Sequence, residues 1–421
     1  MNDFDVIIIG AGASGLMAAG KAGEEGSNVC LLEKKSRPGI KLSITGKGRC
    51  NITNSAQIHE FTSEFGNNGK FLFSAFNKFF NSDLISFFER HGVETKLERG
   101  GRYFPLSDDA HSVVNALIKY AKTNNAVIKT SCEVVKITKE KKLIKEIILA
   151  SGEILRAKKY IIATGGLSYP QTGSTGDGYK FARHLGHTVI PAEPALVPLV
   201  SDSPHLKQLN GLKLKNIEIT VTADGKETTK LFGETEFTVF GMTGPVILTI
   251  SSAVGRMLKE KKEVEISINL KPGLDDAQLD GRLVRELNNF GSLPVRHMLK
   301  ELIPLQLTGV FMETAGINHT KKCCNITKIE RQRIFESLRK LKFKILSTRP
   351  LSEAIITKGG ISLDEVEQNT MKSKLIDNLY FCGEILDLDG PTGGFNLQVA
   401  FSTGYLAGSN TEAWKFGSLE A

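Results

Sequence analysis

The sequence predicts an α/β fold: a Rossmann-like nucleotide-binding domain assembled from both chain ends and interrupted by an insert. Three observations carry this. Residues 5–33 run through strand, glycine turn, helix and second strand. The first ~190 residues alternate strand and helix character, and the chain beyond about residue 350 returns to strand, glycine loop and helix. At 421 residues the chain exceeds one ordinary core, so two or three domains are expected.

The apolar run Val6 to Ile9 suits a fully buried strand and delivers the chain into Gly10, Gly12 and Gly15. Gly10 allows the tight turn, Gly12 lets backbone approach a pyrophosphate, and Gly15 lets the following helix lie close to the strand. That helix presents unpaired N–H groups and partial positive charge to phosphates. Ala19 keeps it slim and Gly26 ends it. A second apolar stretch, Val29 to Leu32, ends in Glu33, whose carboxylate can accept hydrogen bonds from ribose hydroxyls. The unit reads as a dinucleotide site and does not by itself choose between NAD and FAD.

A glycine-rich loop follows, Arg37 to Asn54. Residues 70–91 read as helix, and the seven phenylalanines from Phe71 to Phe88 as a core stripe. Asp108 to Asn124 reads as a helix capped by Ser107 or Asp108. Val127 to Ile137 alternates like a strand; Leu143 to Ala150 and Glu153 to Ile162 resemble a hairpin around Ser151-Gly152. Near Pro191 the texture changes. Prolines 191, 194, 198 and 204 precede short strands at Ile217 to Thr222, Thr228 to Phe232 and Val264 to Leu270. Asp275 to Lys342 is mostly helical, and strand character resumes at Phe343 to Leu346 and Ala354 to Thr357.

Hydrophobic residues at 41% and charged residues at 24% describe a soluble globular protein, and no apolar stretch reaches membrane-spanning length. The first residues are already strand and fingerprint, so no secretion signal is expected. The net charge of +8 is spread without a long basic run. It could favour an anionic cofactor, an anionic substrate or loose RNA contact, but a plain solvated basic surface is the preferred explanation. The six cysteines form no C-x-x-C, which argues against a thioredoxin-like pair or zinc knuckle and suits a reducing cytoplasm. Cys30 and Cys382 read as small hydrophobes, and Cys323-Cys324 as structural. The histidines are scattered, with His184 and His187 expected on a helix surface; no metal-ligand spacing and no Ser-His-Asp order is seen.

Four segments are expected to converge on one ligand: the fingerprint, Ser43 to Asn54, Tyr160 to Gly166, and Leu379 to Asp387 with Gly390 to Leu397. In the second, glycines permit close approach while Lys47, Arg49 and Asn51 offer charge and hydrogen bonds. The third ends a strand in small residues that can pass under a dinucleotide. In the fourth, a strand ends at Gly383-Glu384 and a glycine loop opens a helix at Phe395. FAD enzymes of the glutathione-reductase type hold the ribityl chain on such an element and aim the helix N-terminus at the flavin pyrimidine edge. This favours FAD over NAD as resident cofactor. No second strand-G-x-G-x-x-G unit is present.

The stretches T-G-K-G-R-C-N-I-T-N (45–54), A-T-G-G-L-S-Y-P-Q-T-G-S-T-G-D-G-Y (163–179) and G-E-I-L-D-L-D-G-P-T-G-G-F-N-L-Q (383–398), with G-M-T-G-P (241–245) and T-M-K-S-K (370–374), occur in order along nearly the full chain. In them the chain resembles the HI0933-like flavoproteins, the family that includes aminoacetone oxidase and BaiN-type bile-acid reductases. The resemblance implies non-covalent FAD, a β-barrel-like insert and a small helical subdomain. The expected boundaries are 1–190 and 350–421 for the FAD domain, 191–274 and 343–349 for the β-rich insert, and 275–342 for the helical part. The expected cofactor residues are Gly10, Gly12, Ala13, Ser14, Gly15, Glu33, Lys34, Lys41, Leu42, Gly48, Arg49, Cys50, Asn51, Val134, Ala163, Thr164, Gly165, Gly166, Gly383, Glu384, Asp387, Gly394, Phe395, Asn396 and Leu397, with backbone around Val134 at the adenine. The chain departs from the family pattern in having Ile40 for an Arg and Val239 for a His.

The expected activity is a cytoplasmic FAD-dependent oxidoreductase that exchanges a hydride with a small or medium organic substrate, by amine oxidation or C=C reduction. Oxygen, NAD(P)H or another carrier restores the flavin. Tyr169, Arg49 and Asn396 are candidate groups at the flavin face, Tyr169 reading equally as a packing tyrosine beside Pro170. The alternatives are an RNA-modifying flavoprotein, supported only by the basic excess, and a non-catalytic flavin-binding redox sensor. The expected partner is a small-molecule substrate rather than a nucleic acid; no membrane partner, no metal and no particular oligomeric state is assigned.

Overall fold

The computed structural model describes residues 3–411. Residues 1–2 and 412–421 of the expected FAD domain lie outside them. The chain forms two units: one runs to Ala195 and resumes at Ala354, and the other spans Leu196–Glu353. The divisions fall at 195/196 and 353/354, against 190/191 and 349/350 in the sequence reading. Val189–Ala195 pairs antiparallel with Ile356–Ile361, which places both strands in the first unit. Pro191 and Pro194 are tolerated there because a two-stranded ribbon has open edges.

The first unit is organised by a five-stranded parallel sheet. Its elements in chain order are β1 (Phe4–Ile9), α1 (Ala13–Glu24), β2 (Val29–Leu32), α2 (Ala110–Thr123), β3 (Val127–Lys129), β4 (Ala157–Ile162), β5 (Leu379–Phe381) and α3 (Phe395–Ser409). The strand order is β5-β4-β1-β2-β3, every pair parallel. Val6–Ile9, Val29–Leu32 and Tyr160–Ile162 are buried, as continuous apolar runs must be when a parallel sheet is covered on both faces. The two chain ends meet within this sheet, since β5 pairs with β4 and β4 with β1.

Helix α3 lies against α1 at a separation only glycine permits. A Cβ on Gly404 would stand 2.4 Å from the Ser14 carbonyl oxygen, and one on Gly408 would stand 2.6 Å from that of Ala18. The four-residue spacing puts both glycines on one face of α3. The phenylalanine stripe packs on α3 too. Phe79 stacks on Tyr405 at 4.3 Å and Phe88 meets Phe401 edge-on at 5.6 Å. Of the seven phenylalanines all are buried except Phe73, which is 40% exposed.

Several local expectations are corrected. The single helix over 70–91 is a 3₁₀ turn, Gly66–Leu72, and two helices, Phe73–Lys78 and Asn81–Arg90, because Phe79 is extended. The cap of α2 is Asp109, whose side chain accepts from the His111 N–H; Asp108 takes a left-handed conformation outside the helix. The strand expected over 127–137 breaks in two. Ser131 and Cys132 donate to the Lys35 and Glu33 carbonyls, and Ser131 is left-handed. Val134–Glu140, Leu143–Leu149 and Ile154–Leu155 then form a separate antiparallel sheet. The hairpin around Ser151-Gly152 survives only as far as Leu155, since the apolar run of β4 is buried between β1 and β5 instead.

The second unit contains a closed six-stranded barrel of antiparallel neighbours. Its order is Leu199–Ser201, Gly241–Thr243, Lys226–Thr238, Lys213–Ala223, Val264–Asn269 and Leu341–Thr348. The helices Asp276–Asn289, Val295–Leu299, Leu305–Ala315 and Lys328–Arg339 are inserted between the last two strands. They share one apolar core with the barrel, where Leu283, Phe311 and Leu338 join Ile266 and Phe343. No helix among the described residues is long and apolar enough to cross a membrane.

Replacing Gly404 by alanine is expected to lower stability by about 1–3 kcal/mol, the usual range for an overpacked methyl. Urea unfolding of G404A against wild type measures it, and an unchanged midpoint would show that α1 and α3 separate freely.

Candidate functional site

The amino-terminal turn has three glycines with three different reasons. Gly10 has φ +102°, and a Cβ on it would stand 2.6 Å from the Ala163 carbonyl oxygen. A Cβ on Gly15 would stand 1.9 Å from the Gly10 carbonyl oxygen. Gly12 is different: its backbone is extended and a Cβ there meets nothing within 4 Å. Open space, rather than conformation, singles it out. No side chain caps α1 and no acid stands in its first turn, so the amides at Ala13 and Ser14 keep their partial positive charge.

Glu33 ties the end of β2 to this turn, its two oxygens accepting from the Ala11 N–H at 3.0 Å and the Lys35 N–H at 2.9 Å. Lys34 points to Asp177, 2.6 Å away, and to Thr175. Burial alone would raise the Asp177 carboxyl, but hydrogen bonds from Lys34, Thr175 and Lys180 outweigh it and hold it down at about 2.

The carboxy-terminal segment meets the turn directly. Gly383 is left-handed, and a Cβ on it would stand 2.3 Å from Ser14 Oγ; its N–H donates to Thr403 Oγ1 at 3.0 Å. Glu384 is the hub of a polar cluster. One oxygen lies 2.6 Å from Lys41 Nζ, and the other accepts from Ser168 Oγ and the Thr357 N–H, both at 2.9 Å. Gly165 and Gly166 pass beside it: Cβ atoms built on them would stand 3.9 and 3.2 Å from its oxygens. Tyr179 donates to the Glu384 carbonyl, and burial followed by Glu384 pushes its phenol up, so it stays protonated. Burial also raises the Asp387 carboxyl, against a hydrogen bond from Asn68.

The loop between them is strained. Gly46, Lys47, Gly48 and Cys50 all have positive φ, a concentration typical of built binding loops. Leu42 and Cys50 are buried, and burial pushes the Cys50 thiol up to about 12. Asn51 Oδ1 and Thr164 Oγ1 are buried without any hydrogen-bond partner. Val134 is buried at the start of its strand, and Ala163 is buried where β4 ends. Gly394 is left-handed and fits against Thr53, while Phe395 packs on Phe61 at 4.4 Å and Leu397 is half-buried.

Two of the three candidate reactive groups have other partners. The Arg49 guanidinium is paired with Glu98 and Asp108 and lies over the Phe104 ring at 4.2 Å. Asn396 clamps its own loop, accepting from the Gly390 N–H and donating to the Gly390 and Pro391 carbonyls. Tyr169 sits at φ +51°, half-buried, and its phenol has no hydrogen bond among the described residues. His187 is not on a helix surface. It is buried beyond the helix end, edge-on to Phe381 at 4.9 Å with Nε2 2.7 Å from Ser373 Oγ; His184 is exposed. Ile40 begins the short helix Ile40–Ser43, and Val239 is 58% exposed on the barrel. Sequence reasoning did not single out Ser168, Tyr179, Asn68, Thr357 or Thr403. The first two lie within the quoted 163–179 stretch; the others carry no local signal.

The family model for the HI0933-like protein Rossmann domain matches residues 4–410. A 3-dehydro-bile acid delta(4,6)-reductase of Clostridium scindens is 30% identical over 403 residues, 95% of this chain and 97% of its own. A ribosomal RNA dihydrouridine synthase of Escherichia coli is 30% identical over 417 residues, 99% of this chain and 100% of its own. The fold is similar to that of a 3-ketosteroid-delta4-(5alpha)-dehydrogenase from Rhodococcus jostii, with a TM-score of 0.54 at 14% identity, covering 98% of each chain.

The depressed Asp177 carboxyl makes the Lys34 clamp acid-labile. Its contribution is complete above the unfolded carboxyl value of 3.8 and is lost as pH falls towards about 2. In urea titrations, the stability gap between wild type and D177N is therefore expected to be constant above pH ~4 and to close below it. A gap that persists at pH 2 would exclude the pair as its cause.

Proposed function

The chain belongs to the HI0933-like family and carries the Rossmann-type domain of FAD-dependent oxidoreductases; from that premise we propose that it transfers a hydride to a carbon–carbon double bond conjugated to a carbonyl. The observation that carries the cofactor reading is the junction of Ser14 with Gly383, taken together with the unpaired Asn51 Oδ1 and Thr164 Oγ1. A buried polar atom without a partner costs about 1–3 kcal/mol. An FAD offers N–H and hydroxyl groups along its length that would satisfy such atoms. In this reading Gly10, Gly12, Ala13, Ser14 and Gly15 hold the pyrophosphate, Glu33 the ribose, and backbone at Val134 the adenine. Asn51, Thr164, Gly165, Gly383, Asp387 and Leu397 hold the remainder. The bound flavin supplies the two-electron chemistry. Lys41 neutralises Glu384, and Tyr169, whose phenol is uncommitted, is our candidate proton donor.

The substrate chemistry rests on the relatives' names. A 3-dehydro-bile acid delta(4,6)-reductase acts on double bonds conjugated to a ketone. Dihydrouridine is uridine reduced at a double bond conjugated to a ring carbonyl. One reaction class accommodates both, with NAD(P)H as the donor and a cytoplasmic location. A second reading, that the reduced base is in RNA, is favoured by the full-length similarity to the dihydrouridine synthase and by the net charge of +8.

The purified protein is expected to be yellow, to bleach on anaerobic mixing with NADH or NADPH, and to regain its colour with a 3-oxo-Δ4 steroid. Recolouring by oxygen alone, together with amine-driven peroxide formation, would replace this reading by an oxidase. Gly12→Val is expected to purify without flavin and to melt as flavin-stripped wild type does, since its side chain has room. A yellow G12V protein would remove the pyrophosphate from this turn.

A further inference from the structure

Most of the chain's excess positive charge lies in the second unit, residues 196–353. Two stretches there contain no acid. Residues 287–300 carry Arg296, His297 and Lys300, and residues 314–329 carry His319, Lys321, Lys322 and Lys328. The fold sets them side by side. Val295 N–H donates to the Lys321 carbonyl and Cys323 N–H to that of Leu293, both at 2.9 Å, around an antiparallel bridge from Pro294 to Lys322. Arg296, Lys300, Lys322 and Lys328 are exposed and make no ion pair among the described residues, whereas Lys321 is paired with Glu330. Glu301, Glu313 and Glu330 mark the borders. Another acid-free basic stretch, residues 34–59, is mixed: its Lys34, Lys41 and Arg49 are each paired with a carboxylate, while Arg37 and Lys47 are exposed without an ion pair among the described residues.

From this juxtaposition we infer that the paired face 291–300/318–328 is a docking surface for the phosphate backbone of a folded RNA. The inference rests on the RNA reading above and gives it a place on the molecule. Unpaired cations gain from counterion release when they meet a polyphosphate. The exposed Asn288, Asn289, Asn318, Thr320 and Asn325 beside them can bond phosphate and 2′-hydroxyl oxygens. No Phe, Tyr or Trp ring is exposed on either stretch and His319 is the one exposed imidazole, so the face lacks the run of stacking platforms that holds single strands. It positions an RNA without reading its bases. Only Leu293 and Ile329 offer exposed apolar area there, too little to seat the face in a lipid surface.

The test measures binding of an in vitro transcribed ribosomal RNA to the flavin-loaded protein across a salt series, flavin content serving as the control for folding. Wild type is expected to bind with a steep inverse dependence on salt. The variant combining Arg296→Gln, Lys300→Gln and Lys322→Gln is expected to bind at least ~10-fold more weakly at 0.1 M salt, its log–log slope reduced by about 2–3. Lys215→Gln with Lys226→Gln, on the barrel, is expected to bind as wild type. A triple variant that binds as wild type would overturn the docking face and leave the RNA reading standing. A wild type that ignores RNA at low salt, or prefers anionic phospholipid vesicles, would overturn both.

Discussion

The close approach of backbone to backbone at the junction of the two chain ends is the constraint on which the first unit depends. Ser14 and Ala18 on α1 face Gly404 and Gly408 on α3, and Gly383 fits over the Ser14 side chain. Side chains at those positions would force the late strand and helix away from the early turn. The parallel sheet then fixes what remains. Because β4 lies between β1 and β5, residues over two hundred apart in sequence end at one sheet edge, where ligand sites of open α/β sheets form.

Charge at that edge is balanced by partners within the protein. Glu384 accepts from Lys41, Ser168 and the Thr357 backbone, and Glu33 accepts from two backbone amides. Such groups cost little to bury because their hydrogen bonds are already made. The contrast is with Asn51 Oδ1 and Thr164 Oγ1, which have none. Satisfied carboxylates build the frame, and the cofactor reading proposed above gives the unsatisfied pair to the ligand.

The second unit solves a different problem. Its barrel leaves no open sheet edges, and its inserted helices extend the same apolar core. That arrangement frees the outer helix face and connecting loops from packing duties. Their composition is therefore free to follow charge, which is where the acid-free stretches occur.

The sequence by itself determined the parallel-sheet domain, the glycine turn, the return of the carboxy-terminal segment and the location of the insert. Each is written locally: apolar runs of strand length, glycines at fixed spacing, and prolines where texture changes. Tertiary structure alone decided which way each polar side chain turns. Arg49 and Asn396 look available in sequence, yet Glu98, Asp108 and the Gly390 loop engage them. His187 looks like a surface residue until Phe381 and Ser373 cover it. The strand over 127–137 divides because distant carbonyls at Glu33 and Lys35 capture its middle. Local pattern encodes backbone periodicity; hydrogen-bond partners are set by whichever distant segment packs alongside, and no window of sequence contains both.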